Sequence, residues 1–137
     1  MNLTAPPSLA WPDPGEVHIW QLPCAAAQAA KPLWQSWLNP TEQAQVERYR
    51  RAPDRDRAIL SRGGLRYLLA SYLNEPPHEL QLATQCHGKP YLVSNADAIQ
   101  FNVAHSGTWV VYGFTRQAQI GVDVETVCPR PRQSSLI

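Results

Sequence analysis

Pro76-Pro77 divides the chain into two stretches of different periodicity. Proline cannot continue a helix, and the residue before it is steered toward extended backbone, so no regular helix crosses this point. Upstream, apolar residues recur at three- and four-residue intervals. Leu65, Leu68, Leu69, Tyr72 and Leu73 form one stripe, and Leu33, Trp34, Trp37 and Leu38 form another. Downstream the period falls to two, which predicts strands over 80–83, 91–93, 99–103, 109–114 and 120–124. Helices first and strands afterwards predict an α+β fold, with helices packed on a mainly antiparallel sheet.

Local signals set the element boundaries. Asn39-Pro40-Thr41-Glu42 offers an N-cap, a proline at the first helical position and a glutamate at the capping-box position, opening a helix that runs to about residue 51. Asp54 can cap the next and longest helix, which reaches about Leu73. Gly63-Gly64 inside it costs about 1 kcal/mol per glycine relative to alanine, so another element is expected to approach closely there. Residues 1–15 hold four prolines and read as an irregular arm. Residues 16–20 (EVHIW) read as a short half-buried strand with Val17 and Ile19 on one face. Gly88-Lys89-Pro90 and Ser106-Gly107 read as turns.

With 137 residues, 44% of them hydrophobic and 17% charged, the chain fits one globular domain. A net charge of +1 gives no global attraction to nucleic acid or membrane, and no apolar run approaches the roughly 18–20 residues a membrane span needs. The N-terminus lacks a basic segment followed by an apolar one, so no secretory signal is expected. Cys24, Cys86 and Cys128 are odd in number and form no CxxC, against both a disulfide framework and a zinc site. A cytoplasmic protein with free thiols is the expectation.

Three groups of residues can carry chemistry. In a strand, side chains at i and i+2 share a face with Cα atoms roughly 6.6–7 Å apart. Asp123 and Glu125 are so related, with Val122 and Val124 on the other face. Such a carboxylate pair suits Mg²⁺ where phosphate completes the shell, and it equally suits a strand with one solvated acidic face. His105 ends a strand just before a Ser-Gly turn, where it can grip a phosphate with backbone N–H groups or simply cap the strand. Lys89, one of two lysines, stands in a turn from which it can reach an anion or water. Seven of the ten arginines, Arg48, Arg50, Arg51, Arg55, Arg57, Arg62 and Arg66, crowd one segment. A mostly solvated helix face ranks first for them. A phosphate contact by one or two ranks second. Nucleic acid ranks third, because no aromatic platform interleaves them.

The order of the motifs is more specific than any one of them. GKPYL, then FNVAHSGTWVVYGF, then IGVDVE resembles the surfactin-synthetase-activating type of 4′-phosphopantetheinyl transferase over residues 39–127, with Arg57 and Arg66 matching arginines usual upstream. The resemblance implies transfer of 4′-phosphopantetheine from coenzyme A to a serine of an acyl or peptidyl carrier protein, with Mg²⁺. It implies Asp123, Glu125 and His105 as the catalytic set, Asp123 and Glu125 as metal ligands, and Lys89, His105, Ser106 and Arg57 as coenzyme A contacts. Ala104 stands where the family usually has serine, and residues 42–45 lack lysines that some members use near the nucleotide. The family's second lobe normally adds a Trp-x-x-Lys-Glu motif, which is not found in this sequence. The expectation is therefore an arm over 1–15, an N-terminal transferase lobe over 16–119, and a linking strand with a truncated start of the second lobe over 120–137. Impaired activity and self-association through the exposed inter-lobe face are expected with it. A non-catalytic lobe that binds coenzyme A or carrier protein is the competing reading.

Overall fold

The helical half forms where caps and spacing dictate, in a computed structural model that describes residues 2–86, 88–93 and 99–116. Helix α1 spans Lys31–Trp37 and follows a 3-10 helix over Cys24–Ala30. Helix α2 spans Pro40–Glu47 and opens on a complete capping box. Asn39 Oδ1 accepts from the Glu42 N–H at 2.8 Å, and Glu42 Oε1 accepts from the Asn39 N–H at 2.9 Å. Helix α3 spans Ala52–Leu73 and ends on Asn74 in the left-handed conformation, φ 54°, a position asparagine tolerates. Pro76 and Pro77 then stop any continuation. Two boundaries differ from the sequence expectation. Helix α2 stops at Glu47 rather than near residue 51, and α3 takes Arg51 as its N-cap with no side-chain cap, leaving Asp54 inside the first turn. Pro53 sits at an opening position of α3, where its fixed φ suits the helix and its missing N–H costs nothing.

The strands are β1 His18–Pro23, β2 Leu82–Thr84, β3 Pro90–Leu92, β4 Ile99–Ser106 and β5 Trp109–Arg116. Strands β1, β5 and β4 form one antiparallel sheet in that order, and β2 and β3 form a separate hairpin. The architecture is α+β, as the change of period predicts. Register puts Trp20 opposite Tyr112, and Tyr112 opposite Val103, on the face that packs on α3. The core collects there: Ile99, Phe101, Val110, Tyr112 and Phe114 from the sheet meet Leu60, Leu65, Leu69 and Tyr72 from α3.

The double glycine of α3 is explained by two contacts. A Cβ on Gly63 would stand 2.5 Å from Trp34 Cβ, and one on Gly64 would collide with the Tyr112 hydroxyl. Helix α1 and strand β5 thus approach α3 on neighbouring faces, as the cost of two helical glycines predicts.

Strand β1 is turned the other way from its expectation. Val17 and Ile19 are each 50% exposed, while His18, Trp20 and Leu22 face inward. Alternation alone is symmetric between the two faces. Polar tips decide here: His18 Nδ1 lies 2.7 Å from the Tyr72 hydroxyl, and Trp20 Nε1 donates to the same oxygen at 2.8 Å. Residues 2–15 form no helix or strand, yet they are packed: Leu3, Leu9 and Trp11 lie against the core.

Candidate functional site

A cleft of about 450 Å³ opens where α2, α3, the β2–β3 hairpin and the end of β4 converge. Gln45, Arg48 and Tyr49 line it from α2 and the turn after it, Ser61, Arg62 and Leu65 from α3, Thr84, Gly88 and Pro90 from the hairpin, and Val103 and His105 from β4. The lining thus mixes aliphatic side chains with two guanidinium groups and an imidazole.

Arg62 also belongs to a buried charge cluster. Glu42, which caps α2 with Oε1, receives Arg66 Nε at 2.9 Å and Arg66 Nη2 at 2.5 Å on the same oxygen. Arg66 is fully buried and spends its remaining group, Nη1, on the carbonyls of Pro77 and Leu80 at 2.8 and 2.9 Å. It therefore fixes α3 to α2 and to the segment leading into the hairpin. Arg62, one turn earlier, reaches from α3 to the hairpin: Nη2 donates to Thr84 Oγ1 at 3.2 Å and to Gln45 Oε1 at 3.3 Å. Its Nη1 faces Glu42 Oε2 across 3.9 Å, and neither atom has a hydrogen-bond partner among the described residues. Burial pushes the Arg62 pKa down, the Glu42 carboxylate pulls it back up, and Arg66 adds to the downward push. Guanidinium nevertheless stays charged in proteins. The reading of the arginines as a mostly solvated face is thus corrected. Arg48, Arg50 and Arg51 are exposed, but Arg62 is largely and Arg66 wholly inside.

Arg57 and His105 come together beside the β4–β5 turn. Arg57, near the start of α3, donates from Nη1 to the Gly107 carbonyl at 3.1 Å and pairs with Asp54 at 3.7 Å. It thereby holds the β4–β5 turn, where Gly107 takes a φ of 58°. His105 lies exposed at the rim, opposite Val110 in the register. Desolvation by its surroundings, and then the Arg57 guanidinium, hold its pKa below the ordinary histidine value. Cys24 is buried under the same turn, its N–H donating to the Thr108 carbonyl at 2.8 Å. Burial pushes its thiol pKa up against an opposing pull from Arg57.

The other expected contacts are more scattered. Ser106 follows His105 on β4, so strand alternation turns it to the opposite face, across from Trp109. Lys89 is half-buried between two cleft residues, Gly88 and Pro90, without lining the cleft itself. Its carbonyl closes the hairpin by accepting from Gln85 N–H at 2.8 Å. Asp123 and Glu125 lie outside the described residues. Among the described residues no group of three or more His, Cys, Asp or Glu side chains could hold a metal, and no helix is long and apolar enough to cross a membrane. Sequence reasoning missed Gln45, Tyr49 and Thr84 as cleft residues and Glu42 as more than a cap. One signal was available: Arg62, Arg66, Leu69 and Leu73 fall at helical intervals, which puts two arginines in an apolar stripe.

Residues 26–115 match the family model described as 4′-phosphopantetheinyl transferase, N-terminal. A provisional 4′-phosphopantetheinyl transferase of Synechocystis sp. is 37% identical over 120 residues, covering 87% of this chain and 48% of its own. The 4′-phosphopantetheinyl transferase HetI of Nostoc sp. is 29% identical over 123 residues, 88% of this chain and 52% of HetI. The 4′-phosphopantetheinyl transferase Sfp of Bacillus subtilis is 28% identical over 103 residues, 75% of this chain and 45% of Sfp. The chain thus spans about half the length of these relatives. The elements that line the cleft, α2, α3, the β2–β3 hairpin and β4, fall inside the matched segment, and on this ground the chain belongs to the 4′-phosphopantetheinyl transferase family and corresponds to its N-terminal part.

Proposed function

We propose that this chain supplies the coenzyme A-binding part of an enzyme that moves 4′-phosphopantetheine from coenzyme A to a serine of an acyl or peptidyl carrier protein. In that reaction the serine oxygen forms a bond to the phosphorus that carries pantetheine. The bond from that phosphorus to the nucleotide's phosphate oxygen breaks, adenosine 3′,5′-bisphosphate leaves, and the serine proton passes to a base. The reaction asks the protein for alignment and charge neutralisation rather than for a protein nucleophile. The single observation that carries the reading is the cleft, with Arg62, Arg48 and His105 around a volume of about 450 Å³ inside the family's matched segment.

Within this reading Arg57 holds the turn beside His105, His105 presents an imidazole at the rim, and Lys89 and Ser106 contact coenzyme A from the two turns. Asp123 and Glu125 have the donor chemistry that a hard cation takes. They would hold Mg²⁺, which when bound neutralises charge on the pyrophosphate. A cytoplasmic setting is part of the reading, supported by three cysteines without a pairing pattern. The arm over 1–15, the lobe over 16–119 and the linking strand with the start of a second lobe over 120–137 remain its domain plan. Self-association through the sheet face that bears exposed Ile19 and Trp109 belongs to it as well.

Intact mass tests it. The purified chain is incubated with an apo carrier protein, coenzyme A and Mg²⁺, alongside a full-length relative. Phosphopantetheine added to the carrier more slowly than by the relative, and lost on Asp123→Ala, is the expected outcome. Retention of coenzyme A without transfer would replace the proposal by the binding-lobe reading. Neither binding nor transfer would sink both.

A further inference from the structure

The tip of the N-terminal arm has a seat of its own, apart from the rest of the arm. Asn2 and Leu3 give their carbonyls to the Tyr67 hydroxyl at 2.7 Å and to Trp34 Nε1 at 2.8 Å. Beside these bonds Leu3 borders an apolar cavity of about 80 Å³ walled by Trp20, Leu22, Trp34, Tyr67 and Leu68. The next hold on the body comes at Leu9, whose N–H donates to the Ser71 carbonyl at 2.9 Å. Between the two, Thr4, Ala5, Pro7 and Ser8 are exposed. The bonds that Thr4 makes, at 3.0 and 2.7 Å, go to Asn2 Oδ1 within the arm itself. This linker is longer than the gap it crosses. Tyr67 and Ser71 stand about one turn apart on α3, about 6 Å along its axis, whereas the run from Asn2 to Leu9 would span about 23 Å extended. The reach of the tyrosine ring does not make up the difference, so the chain doubles back, in a turn and bend over residues 3–5. Pro6-Pro7 opposes such folding, because each ring fixes φ and steers the residue before it to extended backbone.

We propose that this seat is an exchange site between two copies of the chain: the arm tip of one copy docks against Trp34 and Tyr67 of a second, which returns its own tip to the first. The seat takes two main-chain carbonyls and one leucine side chain, so the same segment from another copy satisfies it in full. Every bond broken within a copy re-forms between copies, and two such exchanges close on a two-fold axis, which stops the assembly at a dimer. The linker tips the balance: straightened between copies, Pro6-Pro7 is freed of the fold-back, and the cavity left beside Leu3 weakens the hold that the tip must release. This contact is distinct from association through the sheet face, and it does not rest on the coenzyme A reading.

Sedimentation of the full chain over rising concentration is expected to show monomer giving way to dimer and to nothing larger. NMR on a mixture of copies carrying different isotope labels reads the contact itself: a nuclear Overhauser effect is expected between the Leu3 methyl groups of one copy and the Trp34 ring of the other. Leu3→Asp puts a charge against the apolar seat and is expected to leave the chain monomeric. Pro6→Gly combined with Pro7→Gly lets the linker fold back freely while the tip is unchanged, and is expected to weaken dimerisation about tenfold. Ile19→Lys, on the exposed sheet face, is expected to leave the dimer intact. Intercopy Leu3–Trp34 contact in a dimer weakened by the proline replacements upholds the inference. A chain monomeric at every concentration overturns it, as does a dimer whose Leu3–Trp34 contacts all lie within one copy. A dimer that survives Leu3→Asp, is undiminished by the proline replacements or is abolished by Ile19→Lys overturns it as well.

Discussion

Glu42 does two tasks with one side chain, and each makes the other more costly to lose. As a cap it closes the first turn of α2, and as a counter-ion it holds Arg66 in the interior. Breaking a buried pair by removing one partner strands the other charge, at about 3 kcal/mol or more. Glu42→Gln is therefore expected to lower the urea midpoint by that equivalent with an unchanged m-value, whereas a loss below 1 kcal/mol would mean that the guanidinium finds water. His105 gives a second prediction, in pH. Its folded pKa lies below the ordinary value of about 6.5, so in this window the unfolded chain binds more protons than the folded one. Stability then rises with pH: the His105 contribution is intact above about pH 6.5 and is lost as pH falls from there toward the folded pKa. His105→Gln should flatten the dependence of Tm on pH between about 7 and 5.5. Arg57→Gln should raise the His105 pKa in an NMR titration, because it removes the neighbouring positive charge; an unmoved value would leave desolvation as the sole cause.

At the scale of elements, what was legible in the sequence is what depends on near neighbours. The capping box at Asn39, the end of α3 before Pro76-Pro77 and the need for close approach at Gly63-Gly64 were all readable, because each is decided within a few residues or by a backbone cost. What depends on distant partners was not. The inward face of β1 is set by Tyr72, 54 residues from His18, and the burial of Arg66 is set by Glu42, 24 residues away. Alternating Asp and Arg over 54–57 looks like a solvated face and in part is one, yet the same charge type one turn further along α3 is interior. The glycine pair supplies the matching test. Alanine at Gly64 gains up to about 1 kcal/mol of helix propensity but would drive Tyr112 off α3, at about 1–3 kcal/mol of overpacking. The Tyr112 ring is buried and its hydroxyl donates to the Ser61 carbonyl at 2.8 Å, so the clash has no flexible end to absorb it. Gly64→Ala is thus expected to destabilise in chemical denaturation; a stabilised variant would mean that β5 shifts freely along α3.

For the molecule as a whole, the cleft depends on the attitude of α3 toward the sheet, and the N-terminal arm ties the far side of that packing. Its backbone is bound at successive points: the Asn2 carbonyl accepts from the Tyr67 hydroxyl at 2.7 Å, the Leu3 carbonyl from Trp34 Nε1 at 2.8 Å, and the Leu9 N–H donates to the Ser71 carbonyl at 2.9 Å. Further on, Trp11 Nε1 donates to the Tyr72 carbonyl at 2.7 Å, and Arg116 from β5 lies over the Trp11 ring, 5.1 Å from its centroid, while bonding the Pro12 carbonyl at 3.0 Å. The arm therefore joins α1, α3 and the last described residue of β5. Two of its partners, Trp34 and Tyr67, are almost wholly buried and would be left with unpaired donors at a newly wet surface. Replacing Trp11 by alanine removes a half-buried ring, a hydrogen bond and a cation–π contact together, for an expected loss of about 2–3 kcal/mol. Deleting residues 2–10 should lower the Tm further and shift tryptophan emission to the red as Trp34 meets water. Because the cleft lies on the opposite flank of α3, the tie predicts a coupled effect: a truncated chain that remains folded should also lose affinity for coenzyme A, through movement of α3 relative to the hairpin. Unchanged coenzyme A binding alongside a lowered Tm would confine the arm to stability and show the cleft to be held by α2, α3 and the hairpin alone.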